Sequence, residues 1–118
     1  MRAVVLDRDG LPQLVDVPVP EGEGELVRVR ACGLCGSDVE KLGTAAAGTV
    51  LGHEVEGETS DGRRVTVAHR VPCGACVRCR AGHESTCDAF AAVRIRPGGF
   101  AEQLRATHVV PLDRKSVV

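Results

Sequence analysis

The chain has 118 residues, 43% of them hydrophobic and 26% charged, with 15 Lys and Arg against 16 Asp and Glu. That length holds one core and excludes a second ordinary domain, and the composition excludes disorder, collagen-like repeats and low-complexity polymers. A formal charge of -1 with only 2% aromatic residues removes the basic field and the stacking platforms that nucleic-acid binders use, so nucleic acid is not an expected partner.

In chain order, the first predicted element is a strand over 2–6, where apolar and charged residues alternate with period two. Charges arrive there before any apolar run of signal-peptide length, and no later run approaches the about 18 apolar residues that span a bilayer. These features predict a cytoplasmic protein without a membrane partner. Asp9-Gly10 reads as a hairpin turn leading into a strand over 14–19, because Asp-Gly readily adopts the positive φ that tight turns demand. A third strand covers 26–31, with Val27, Val29 and Ala31 facing the core and Arg28 and Arg30 facing water.

A turn or two of helix is expected over 37–42, with Ser37 as cap, Asp38 and Glu40 early in it and a stop at Gly43. The segment 44–49 is small and featureless enough to be a mobile loop. Asp61-Gly62 reads as a second hairpin turn, 64–68 as a strand and 107–112 as the closing strand, while 113–118 shows neither a cap nor a tail. Mostly β with long functional loops is the coarse result.

Between the last two strands, Cys73, Cys76, Cys79 and Cys87 stand at intervening gaps of two, two and seven residues. Two-residue gaps let the backbone curl so that successive sulfurs converge at ~2.3 Å on one ion, and a longer loop closes the fourth vertex. Four thiolates suit tetrahedral zinc and leave no vacancy for substrate, so the expected role is structural. Arg70, Arg78 and Arg80 would offset the excess negative charge. Disulfides are disfavoured without a secretion signal, an iron–sulfur cluster by the seven-residue gap, and His83 reads as a solvent-facing loop residue rather than a ligand.

A second constellation lies upstream in Cys32-Gly33-Leu34-Cys35-Gly36-Ser37-Asp38 and Gly52-His53-Glu54. A thiolate, an imidazole and a carboxylate can hold zinc on three sides and leave the fourth for water or substrate. Taken alone, this pairing is balanced by a core cysteine plus a surface histidine. The four-cysteine cluster further along the chain shifts the balance toward metal.

Together with Gly98-Gly99-Phe100-Ala101-Glu102, these motifs in this order resemble the catalytic domain of zinc-dependent medium-chain alcohol and polyol dehydrogenases, over nearly the whole chain. The Ser-Asp form after Cys35 is most similar to the polyol, glucose and threonine dehydrogenase branches. The resemblance implies a GroES-like, partly open β-barrel carrying a zinc lobe and few short helices. It implies a catalytic zinc on Cys35, His53 and Glu54, with Glu54 either ligating or exchanging with water, and a structural zinc on Cys73, Cys76, Cys79 and Cys87. Cys32 would not ligate, Asp38 would accept a hydrogen bond from the His53 imidazole, and Ser37 would relay the alcohol proton. The implied reaction is hydride transfer from a small alcohol or polyol to NAD or NADP.

Residues 1–118 would then be one catalytic domain, truncated relative to the family, because the Rossmann domain that binds the dinucleotide is absent. Gly22-Glu23-Gly24 precedes a strand rather than joining a strand to a helix, and no third glycine follows at the required step. Family members continue for roughly 200 further residues, one more domain of normal size plus a return segment. Without that half the chain should not oxidise alcohols at a useful rate, and homo-oligomerisation belongs to the full-length form. The stretch 40–51 is shorter than in many relatives, which points to a shallower pocket. Two other readings stand beside this one: a non-catalytic zinc-binding module or decayed paralogue, and a redox-thiol protein using Cys32 and Cys35.

Overall fold

The computed structural model describes residues 1–112; the ending expected over 113–118 lies outside the described residues. Strands β1 (Arg2–Leu6) and β2 (Pro12–Asp16) form an antiparallel hairpin. Its turn is fixed by the Asp7 carboxylate, which accepts hydrogen bonds from the backbone N–H of Asp9 at 2.8 Å and of Leu11 at 3.0 Å. The turn expected at Asp9-Gly10 is therefore present. Strand β2 starts earlier than its alternation suggested, where Pro12 pairs opposite Leu6, and stops earlier because Pro18 and Pro20 lack the N–H that would extend the ladder.

Strand β3 (Glu25–Gly33) leads into helix α1 (Gly36–Lys41), and β4 (Glu54–Thr59) and β5 (Arg64–Val67) follow as a hairpin around Asp61-Gly62. Two-residue strands β6 (Arg70–Val71) and β7 (Ala91–Ala92) pair with each other and bracket a loop that carries α2 (Val77–Arg80) and a 3-10 turn at Glu84–Thr86. Strands β8 (Ile95–Arg96), β9 (Gln103–Ala106) and β10 (Val109–Pro111) complete the chain. The main sheet has the order β10-β5-β4-β3-β9-β8, is antiparallel throughout, and curls into a partly open barrel. The mostly-β expectation is met.

The core lies inside that curl. Val27, Val55, Val65, Val67, Leu104 and Ala106 are buried there, with Val29, Cys32, Ile95 and Val109 packed around them. Burial on this scale removes apolar surface worth about 25 cal/mol per Å² and supplies most of the drive to fold. One expectation fails: Ala31 is exposed. A β-bulge between Val29 and Ala31 inserts an extra residue against β4 and flips the phase of β3, so Cys32 turns inward in place of Ala31.

The cap of α1 also differs from expectation. The N-cap is Cys35, and Asp38 reaches back so that its Oδ2 accepts a hydrogen bond from the Cys35 N–H at 3.0 Å. Ser37 sits inside the first turn, where its hydroxyl is free of capping duty.

Candidate metal centres

The β3–β4 ladder builds the mixed-donor centre. Gly33 at the end of β3 pairs with Glu54 at the start of β4, so Cys35, two residues past β3, meets His53 and Glu54 at one end of the ladder. One ligand atom from each of Cys35, His53 and Glu54 lies within 4.8 Å of the others. Two glycines make this close approach feasible. A Cβ at Gly33 would lie 3.1 Å from Glu54 Cβ and collide with the Glu54 carboxylate; Gly52 has φ +103°, and its own Cβ would stand 2.8 Å from the sulfur of Cys32 and 2.9 Å from the backbone of Gly99 and Phe100. The segment before His53 is thereby laid against the Gly98-Gly99-Phe100 strip, joined by Gly99 N–H to Gly52 O at 2.8 Å and Phe100 N–H to Leu51 O at 3.0 Å.

Asp38 is only 1% exposed, and its second oxygen, Oδ1, has no hydrogen-bond partner. An unpaired buried carboxylate oxygen is costly, so a donor that tightens onto it is favoured. His53 Nδ1 stands 3.7 Å from Oδ1, just beyond hydrogen-bond reach. Cys32 points into the core; desolvation, followed by the charges of Asp38 and Glu54, pushes its thiol pKa up, which disfavours it as thiolate and as ligand.

The site opens onto a cavity of about 640 Å³ whose walls include Ser37, Asp38, Lys41, His53, His69 and Arg70. His69 was not anticipated. Its ring centroid lies 4.9 Å from that of His53, and desolvation, followed by the nearby His53 and Arg70, holds its imidazole below its ordinary pKa. The signal lay in Ala68-His69-Arg70, directly after β5, but nothing local says that this strand end faces His53.

The four-cysteine cluster forms as the spacing indicates, with ligand sulfurs mutually within 4.8 Å and Cys73 and Cys79 Sγ 3.9 Å apart. Backbone N–H groups point at the sulfurs: Cys76 and Ala75 donate to Cys73, Cys79 to Cys76, and Cys73 and Ala89 to Cys87, at 3.3 to 3.4 Å. These donors stabilise thiolate. Backbone N–H groups of Asp88 and Cys79 bring Cys76 down to about 6, the N–H of Cys73 lowers Cys87, and burial pushes Cys79 up to about 12. Two of the three arginines expected to offset the thiolate charge have other places: Arg78 pairs with Asp88 at 3.3 Å, and the Arg70 guanidinium lies 5.7 Å from the centre of the Phe90 ring. His83 is exposed and apart from the sulfurs, as expected, and all six cysteines are free thiols.

No helix among the described residues is long and apolar enough to cross a membrane. Residues 22–114 match the family described as alcohol dehydrogenase GroES-like domain. The chain is 37% identical to D-altritol 5-dehydrogenase of Agrobacterium fabrum over 92% of its own length and 38% of that enzyme's. Among solved structures, it is similar to a candidate zinc-binding dehydrogenase of Sinorhizobium meliloti bound to NADP, at TM-score 0.68 and 32% identity, covering 97% of this chain and 39% of that one. It is also similar to the apo form of zinc-dependent alcohol dehydrogenase 2 from Streptococcus pneumonia, at TM-score 0.70 and 26% identity, covering 98% and 39%. The chain thus spans about two-fifths of the length of these proteins. A match over residues 22–114, most of the chain, identifies it as a member of the alcohol dehydrogenase GroES-like domain family.

Proposed function

We propose that residues 1–118 form the zinc-binding catalytic domain of a longer, cytoplasmic NAD(P)-dependent dehydrogenase of small alcohols or polyols, with one catalytic and one structural zinc. The observation that carries this reading is the convergence of Cys35, His53 and Glu54 within 4.8 Å, with His53 also lining the cavity. The donor set suits the ion: thiolate, imidazole and carboxylate are ordinary zinc ligands, three of them leave a vertex open, and the unpartnered Asp38 Oδ1 is placed to receive the Nδ1 proton of a ligating histidine. When bound, zinc would supply Lewis acidity that makes a substrate hydroxyl ionisable near neutral pH, and a nicotinamide held by a further lobe would take the hydride.

The chain's own residues do the rest. Cys35 and Glu54 carry the negative charges that balance a divalent ion. Asp38 fixes the His53 tautomer, leaving Nε2 free to ligate. Ser37, on the first turn of α1 at the cavity wall, accepts the hydroxyl proton and passes its own toward solvent, so the net change at Ser37 is zero. Cys73, Cys76, Cys79 and Cys87 leave no vertex for substrate, so their zinc organises the lobe. Among the relatives, the D-altritol 5-dehydrogenase supports a polyol substrate, while L-threonine 3-dehydrogenases and an L-galactonate-5-dehydrogenase support a hydroxylated substrate that carries a carboxylate.

Elemental analysis of the purified chain tests the reading. Two equivalents of zinc, falling to one in Cys35→Ser and in His53→Ala, are expected. One equivalent indifferent to both substitutions would overturn the catalytic centre and leave a zinc-stabilised module.

A further inference from the structure

We propose that the cavity beside His53 selects hydroxylated substrates that also carry an anionic group, phosphate or carboxylate, and that Arg70 and Lys41 bind that group. The hydroxyl end of such a substrate rests on the dehydrogenase reading above; the anion subsite stands on contacts of its own.

Arg2, Arg28, Arg30, Arg63, Arg64, Arg78 and Arg94 each lie within ion-pair distance of a carboxylate. Arg96 and Arg105 donate to backbone carbonyls instead. Among the described residues Arg8, Lys41, Arg70 and Arg80 do neither, and of these Lys41 and Arg70 line one cavity, entering it from different elements: Lys41 from the last turn of α1, Arg70 from the start of β6. Both are exposed to solvent.

Arg70 is held without being used up. Its guanidinium carbon lies 5.7 Å from the centre of the Phe90 ring, a contact that consumes none of its N–H donors and leaves them available to an oxyanion. The cavity offers little to cancel this charge. Among the described residues Asp38 is the one carboxylate in its wall, and it is buried, with Oδ2 spent on the helix cap and Oδ1 3.7 Å from His53 Nδ1. Glu54 and the Cys35 thiolate are balanced by a divalent ion on the proposed reading. What remains is a net positive field over a space of about 640 Å³, a volume suited to a sugar-sized molecule.

Amide chemical-shift titrations of the zinc-loaded chain with sorbitol, gluconate and sorbitol 6-phosphate test the proposal. The anionic ligands are expected to bind about tenfold or more tightly than sorbitol, with an advantage that shrinks as salt is raised. The ratio between gluconate and the phosphate ester tells which anion the site takes. Arg70→Gln should abolish the advantage, Arg70→Lys should restore part of it, Lys41→Gln should reduce it, and Arg8→Gln, at an unpaired arginine outside the cavity, should leave it intact. Equal affinity for all three ligands, or an anion advantage that survives both Arg70→Gln and Lys41→Gln, would overturn it. The two readings fail separately. Zinc at Cys35 and His53 without anion preference sinks the subsite alone, whereas anion preference with only the lobe's zinc present keeps the subsite and sinks the dehydrogenase.

Discussion

The two candidate metal centres differ in where their donors come from, and the difference separates a set suited to holding structure from a set suited to chemistry. The thiolate cluster is drawn from a single loop between β6 and β7, and its sulfurs are wrapped by that loop's own N–H groups. The mixed centre is drawn from two segments, 35 and 53–54, that meet only because β3 and β4 pair in register. A local set of four soft donors closes around its ion and contributes to folding; a long-range set of three leaves a vertex that the fold can aim at a cavity. The lobe also has little apolar interior of its own. Cys79 and Cys87 are its buried residues, whereas the main core sits in the six-stranded sheet.

The largest expected effect would break this contrast if it failed to appear. Structural zinc supplies on the order of 10 kcal/mol to local folding in small metal-built units. Cys79→Ser should therefore remove one zinc equivalent and strip hydrogen-exchange protection from residues 72–90, while protection at Val27 and Leu104 persists. A lobe that stays protected without its metal would mean that it folds by packing.

The contrast sharpens with Asp38→Asn, which keeps an acceptor for the helix cap but loses the charge beside His53. Zinc affinity at the mixed centre should fall about 10- to 100-fold, the usual cost of losing a partner that orients a metal-bound histidine, with the lobe's affinity unchanged. Competition against a chromophoric chelator reads both affinities, and an unchanged mixed centre would remove Asp38 from the mechanism.

The smallest effect concerns the metal-free lobe. With Cys76 lowered to about 6 and Cys79 raised to about 12, Cys76 is mostly thiolate at pH 7 and Cys79 stays a thiol. Against an ordinary thiol, the larger thiolate fraction outweighs the lower intrinsic nucleophilicity, so Cys76 should react about fourfold faster with an aromatic disulfide. Its rate should rise with pH through about 6 and level off above, because only the ionised form attacks. Mass mapping of the labelled cysteines checks this, and added zinc should suppress it.

How much of this was legible in the sequence depends on the range of the signal. The hairpin at Asp9-Gly10 and the cysteine cluster were legible because turn chemistry and ligand spacing act over a few residues. Strands β4 and β9 were not. Glu-Val-Glu-Gly-Glu-Thr alternates, but its inward positions are Val55, Gly57 and Thr59, of which only Val55 carries a large apolar side chain. Gln103–Ala106 is too short to show a period, although Leu104 is among the most deeply buried residues in the protein. Both strands are held by β3 between them, a stabilisation that lies in the pairing and not in their own composition.

The spacing of Cys73, Cys76, Cys79 and Cys87 marked by itself a set of four soft donors able to converge on one ion, since donor chemistry and spacing are local properties, whereas Cys35, His53 and Glu54 were marked only as donor types able to ligate. Only the tertiary structure decided that Ala31 turns out and Cys32 turns in, that Cys35 caps its helix in place of Ser37, and that His69, Arg70 and Lys41 share a cavity with His53. Each of these follows from strand register, a bulge or the approach of distant segments, and such contacts are set by the energy of the whole sheet rather than by any stretch of chain.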